Sequence, residues 1–133
     1  MHANRTLRPV LVVDDEAELR DVIEWTLADA GYPVLSASDG QAALDLLRWR
    51  LPSLILLDMR MPRMDGWAFA RAYRQLPRPH APMIVVSAAT NVASWAREID
   101  ADGCLAKPFE LRELLALVTR YVSPASDTEE AAG

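Results

Sequence analysis

The chain has 133 residues, a formal net charge of −5 and a hydrophobic share of 51%, which fits one domain with a sound core and lacks the basic excess that a nucleic-acid surface needs. A lone cysteine, Cys104, excludes an internal disulfide and suits a reducing compartment. The apolar run near the start, Val10 to Val13, is far too short for a signal peptide or a membrane span, so no membrane partner and a cytoplasmic location are expected.

Val10-Leu11-Val12-Val13 predicts a strand buried on both faces, and it ends in Asp14-Asp15-Glu16. Acids in a helix's first turn complement its dipole, which accounts for Glu16 and Glu18. Leu19, Val22, Ile23, Thr26 and Ala30 predict the buried stripe of a first helix, and Gly31 its end. Pro33 to Ala37 is a weaker strand suited to a sheet edge. Ser38 or Asp39 caps a second helix, with Ala43, Leu44 and Leu47 facing inward. Leu54-Ile55-Leu56-Leu57, bracketed by Pro52 and Pro62, predicts a third strand with Asp58 at its carboxyl end. Gly66 opens a third helix that buries Phe69, Tyr73 and Leu76. His80 falls in a proline-marked loop and is read as solvated.

Met83-Ile84-Val85-Val86 predicts a fourth strand ending in Ser87, and Val92, Trp95, Ala96 and Ile99 a short helix in which Trp95 fills core. Asp102-Gly103 turns into a brief strand, Cys104-Leu105-Ala106, followed by Lys107-Pro108. Leu111, Leu114, Leu115, Val118 and Val122 mark the last helix. Residues 8–122 are thus expected to form the domain, and 123–133, polar and acidic, a disordered tail or the start of a linker.

Five alternations of strand and helix predict an α/β three-layer sandwich around a doubly wound, five-stranded parallel sheet. The continuous apolar runs place strands one, three and four centrally and strands two and five at the edges. The flavodoxin-like order 2-1-3-4-5 satisfies this, with its switch point between strands one and three. Asp14, Asp15, Asp58, Ser87 and Lys107 then meet at one rim.

Three crowded carboxylates repel unless a cation joins them, and hard oxygen ligands favour Mg2+. A metal there, with Lys107 and Ser87 opposite, makes a place for a phosphoryl group, and a carboxylate oxygen of Asp58 is the attacking atom. Lys107 is the only lysine in the chain, a compact charge on a flexible stem.

Val12-Val13-Asp14-Asp15-Glu16, Leu57-Asp58-Met59-Arg60-Met61-Pro62 with Met64-Asp65-Gly66, Ser87-Ala88 and Lys107-Pro108-Phe109 together resemble the receiver domain of two-component response regulators, from Val10 to Val122. The resemblance implies that Asp58 is the phosphoacceptor. It also implies that Asp15, Asp58 and the backbone carbonyl of Arg60 ligate Mg2+, and that Asp14 acts through water. Ser87 and Lys107 would bind the phosphoryl group, and the Lys107–Pro108 bond would be cis. The implied partners are a sensor histidine kinase or histidine phosphotransfer protein as donor and a downstream protein target, without nucleic acid. The chain would be a signalling domain and not an enzyme, and would stand alone.

Three positions depart from the family pattern. Cys104 replaces the usual aromatic that reports phosphorylation to the outer face, and a buried, inert thiol is expected there. Asp100 stands where glycine is usual, and aspartate tolerates a left-handed helix end. Arg60 and Ala89 occupy positions that influence the phosphate's lifetime, and Arg60 can reach the phosphate or point into water. Other readings are an aspartate-nucleophile phosphatase, whose second acid is replaced here by Arg60, a docking module with little phosphorylation-dependent switching, and a receiver excised from a hybrid kinase or longer regulator.

Overall fold

The computed structural model describes residues 8–122, so the expected tail lies outside the described residues. Five strands and five helices alternate: β1 (Val10–Val13), α1 (Ala17–Asp29), β2 (Val34–Ala37), α2 (Gly40–Leu46), β3 (Leu54–Leu57), α3 (Gly66–Arg74), β4 (Met83–Ala88), α4 (Ala89–Glu98), β5 (Gly103–Lys107) and α5 (Leu111–Tyr121). All strand pairings are parallel and the order is β2-β1-β3-β4-β5, as the apolar runs predict. β1 and β3 are buried along their whole length, as is β4 up to Ser87. β2 and β5 are half-exposed, as sheet edges are.

Successive strand residues point to opposite faces, and this divides the core in two. Leu11, Val13, Ile55, Leu57 and Val85 pack with Phe69 and Tyr73 of α3 and Val92 and Ala96 of α4. Val10, Val12, Leu54, Leu56 and Ile84 pack with Ile23 and Leu27 of α1 and Leu114 and Val118 of α5. The register Val13↔Leu57 sets the next residues side by side at the carboxyl rim. The Asp58 amide donates to the Val13 carbonyl at 2.9 Å, and the Asp14 amide to that of Ala37 at 3.1 Å.

The helix ends follow their local chemistry. Gly31, at φ 97°, closes α1 in a conformation that suits glycine. Asp39, and not Ser38, caps α2 by accepting from the Ala42 amide at 2.8 Å. Asp100 adopts φ 56°, as its short side chain allows. The Lys107–Pro108 bond is cis.

Several expected core positions lie outside the core. Val22 is 45% and Leu111 is 41% exposed, because α1 and the α5 start leave a groove lined by both. Leu27 is buried in place of Ala30, which caps α1 in solvent. Leu76 is 37% exposed, since α3 ends at Arg74 before the stripe returns to the core. His80 is half-buried: its Nε2 lies 2.7 Å from the Leu76 carbonyl and its ring 5.1 Å from that of Tyr73. Cys104 is exposed, contrary to the buried position expected. Leu105 packs towards α1 and α5, so Cys104 points to the other face of β5, an edge strand on which it stays exposed.

Gly66 starts α3 directly beneath the Asp58 strand end. A Cβ there would lie 2.5 Å from Met59 Sδ, 2.7 Å from Met59 Cα and 2.9 Å from the Asp58 carbonyl oxygen. Backbone on two sides cannot yield as a flexible side chain does. Gly66→Ala is expected to lose about 1–3 kcal/mol in denaturant unfolding; wild-type stability would mean that the β3–α3 loop gives way without strain.

Candidate functional site

Carboxylate oxygens of Asp14, Asp15 and Asp58 lie within 4.8 Å of one another. β1 delivers the first two and β3 the third. Asp14 and Asp58 are buried at 2% and 8% exposure, whereas Asp15 is exposed. The Asp14 side chain also accepts from the Glu16 amide at 2.9 Å, a local turn that holds its carboxylate at the rim. β4 contributes Ser87, whose Oγ donates to Asp58 Oδ1 at 3.4 Å, a long hydrogen bond.

Lys107 arrives from β5. Its Nζ sits 2.9 Å from Asp14 Oδ2, 3.1 Å from Glu16 Oε1 and 3.9 Å from Asp58 Oδ2. The lysine is thus anchored mainly on Asp14 and Glu16 and reaches Asp58 more loosely. Burial pushes its pKa down, but the hydrogen bond and charge of Asp14, with Asp58 and Glu16 behind them, outweigh this and hold it above the ordinary value. Asp58 is pushed up from 3.8 to about 6. Burial is the main cause and the neighbouring Asp14 charge the next, against the opposing pull of Lys107 and the Arg60 amide.

The structure therefore brings together all five side chains that the sequence placed at the rim. Arg60 is exposed and makes no ion pair with Asp58; its guanidinium instead lies over an indole. Its guanidinium carbon lies 5.2 Å from the ring centroid of Trp95. Trp95 is half-buried against the α3–α4 core and stands edge-on to Trp67, with centroids 5.1 Å apart. Trp67 Nε1 in turn donates to Glu98 Oε1 at 2.7 Å.

Sequence reasoning missed three side chains. Glu16 was accounted for by the helix dipole alone, yet it is a lysine partner; its place in the Asp14-Asp15-Glu16 run was the available signal. Arg20 donates to the Asp14 carbonyl at 2.7 Å, one turn into α1. Arg63 sits at φ 64° with its guanidinium 2.6 Å from Asp39 Oδ2. The Asp39 pKa is lowered first by the Ala42 amide and then by Arg63, against burial. The pair ties the β2–α2 turn to the loop that follows Asp58.

The fold is a flavodoxin-like α/β module whose acid cluster, two of its three carboxylates buried, lies at the switch point between β1 and β3, with Lys107 reaching it from β5. The chain belongs to the response regulator receiver domain family, which matches residues 10–119. A probable transcriptional regulator ycf27 of Porphyridium aerugineum is 37% identical over 122 residues, covering 88% of this chain and 50% of the relative. The chain spans about half the length of the curated relatives it matches. Among solved structures, the chemotaxis response regulator CheY4 of Vibrio cholerae is similar at 32% identity and TM-score 0.80, over 88% of this chain and 100% of that one. A putative response regulator of Chloroflexus aurantiacus matches at 31% identity and TM-score 0.78, over 86% and 96%. No helix among the described residues is long and apolar enough to cross a membrane.

Proposed function

We propose that residues 8–122 form a receiver that takes a phosphoryl group onto Asp58 from a histidine kinase or histidine phosphotransfer protein and passes the change to a downstream protein. The carrying observation is that Asp58, buried at the end of a central strand, has Lys107 at 3.9 Å, Ser87 at 3.4 Å and two further carboxylates beside it. A carboxylate oxygen of Asp58 attacks phosphorus as the bond to the donor's imidazole nitrogen breaks. The bonding pair leaves on that nitrogen, which takes a proton from solvent. Lys107 and Ser87 hold the phosphoryl oxygens as charge shifts onto them.

The hard, all-oxygen donor set within 4.8 Å fits Mg2+. Asp15, Asp58 and the Arg60 carbonyl would hold it directly and Asp14 through water. When bound, the ion supplies positive charge to the phosphoryl oxygens and relieves the repulsion among the acids. A cytoplasmic location belongs to the same proposal, as does the absence of nucleic-acid contact by this acidic domain. The relatives called transcriptional regulators are about twice its length, and what their other half binds is a matter for those proteins.

Incubation with acetyl phosphate and Mg2+ is expected to add one phosphoryl group by intact mass, and Asp58→Ala to add none. An undiminished adduct in the variant would overturn the assignment of Asp58. No adduct in the wild-type chain would favour a docking module that binds partners without phosphorylation.

A further inference from the structure

The Arg60 side chain has no acid partner among the described residues and rests on an indole, although its own backbone amide faces the Asp58 carboxylate. We propose that Trp95 parks this guanidinium in the resting state, and that phosphorylation of Asp58 draws it off the ring and so unlatches the Trp95–Trp67 pair on the α3–α4 surface. The proposal rests on the reading of Asp58 as phosphoacceptor.

Relative strengths decide the direction. A cation over an aromatic face at an exposed site is weakly held. A phosphoryl group on Asp58 brings a charge of about −1.5 to −2 and three acceptor oxygens. Arginine pairs such oxygens through charge-assisted, often bidentate hydrogen bonds. Arg60 follows Asp58 by two residues, so the long side chain needs only rotamer changes to turn from the ring to the phosphoryl group.

The consequence falls on α4. Trp95 packs edge-on against Trp67 at 5.1 Å, and Trp67 is fastened to Glu98 at the other end of α4 by a 2.7 Å hydrogen bond. A chain of contacts thus runs from the phosphorylation loop to the last residue of the helix, across the surface and not through the strand. Cys104, exposed and without a ring, offers no aromatic in β5 that could carry the signal from inside. The Arg60–Trp95 contact supplies a two-position element that the charge on Asp58 biases directly.

The test records indole N–H resonances and intact mass on the same samples, before and after acetyl phosphate with Mg2+. In the wild-type chain an adduct forms and the Trp95 and Trp67 resonances both move. In Arg60→Gln the Trp95 movement is lost. In Trp95→Leu, which keeps an apolar body on α4, the adduct forms as in wild type and the Trp67 resonance stays in place. A wild-type adduct with Trp95 unmoved would overturn the latch. So would a Trp67 resonance that moves in Trp95→Leu as it does in wild type. Absence of any wild-type adduct would instead remove the reading of Asp58, and the latch with it.

Discussion

Lys107→Met is expected to take up phosphate from acetyl phosphate about 100- to 1,000-fold more slowly than the wild-type chain, the scale of losing one preorganised charge from a transition state. Methionine keeps most of the stem's length and removes only the ammonium. In the resting structure Nζ is closest to Asp14 and Glu16, at 2.9 and 3.1 Å, with Asp58 at 3.9 Å. A phosphoryl group on Asp58 lies within reach of that flexible stem, so the same ammonium can exchange carboxylate for phosphoryl oxygens without a backbone change. Stability is expected to fall as well, because Asp14 is buried and loses its cation. The rate of adduct growth by intact mass is therefore compared at conditions where both proteins are folded by circular dichroism. A rate close to wild type would take Lys107 out of the chemistry and leave it a structural partner of Asp14.

The sheet and its rim were legible because they depend on strand-length patterns. A run such as Leu54-Ile55-Leu56-Leu57 can be buried on both faces only in a central strand, and Pro33 and the short Cys104-Leu105-Ala106 suit edges. Once β1 and β3 are neighbours, parallel register alone sets Asp14 beside Asp58. The candidate site followed from topology, with no side-chain detail needed.

What escaped the sequence depends on how side chains cross between loops. Asp39 and Arg63 are 24 residues apart and meet only because the β2–α2 turn and the β3–α3 loop share the rim. Arg60 could be placed near the phosphorylation site by spacing, but its rest position on Trp95 is set by the packing of α4 against α3. Periodicity also over-predicted burial at Val22 and Leu111. Each lies on the apolar side of its helix, yet the two helices stand apart at the β5–α5 end and leave a groove. For Cys104, burial was expected from the family position, whereas β5 is a partly exposed edge strand and leaves the thiol accessible.

Asp58→Asn is expected to stabilise the metal-free protein, by an amount that grows with pH. The folded-state pKa of Asp58 is raised from 3.8 to about 6, mainly by burial and then by Asp14. Well below pH 3.8 the acid is protonated whether folded or not, and it contributes no penalty. Between pH 4 and 6 the folded chain keeps a proton that the unfolded chain has lost, so stability falls as pH rises. Above about pH 6 the cost of ionising a buried acid beside two others is fully present. A displacement from 3.8 to about 6 corresponds to about 3 kcal/mol, an upper figure because rearrangement of the site lowers it. Asparagine keeps the shape and cannot ionise, so it escapes that cost while Lys107 retains Asp14 and Glu16. Urea unfolding in the presence of a chelator should give only a small difference at pH 4, where the penalty begins, and a variant more stable by about 1–3 kcal/mol at pH 7.5. Mg2+ should then narrow the gap by stabilising the wild-type chain more than the variant, since the ion binds only the folded acid cluster and the variant has lost one ligand charge. A stability difference that does not change with pH would show that Asp58 ionises in the fold as freely as in water, and that the acids at this rim do not repel one another enough to call for a cation.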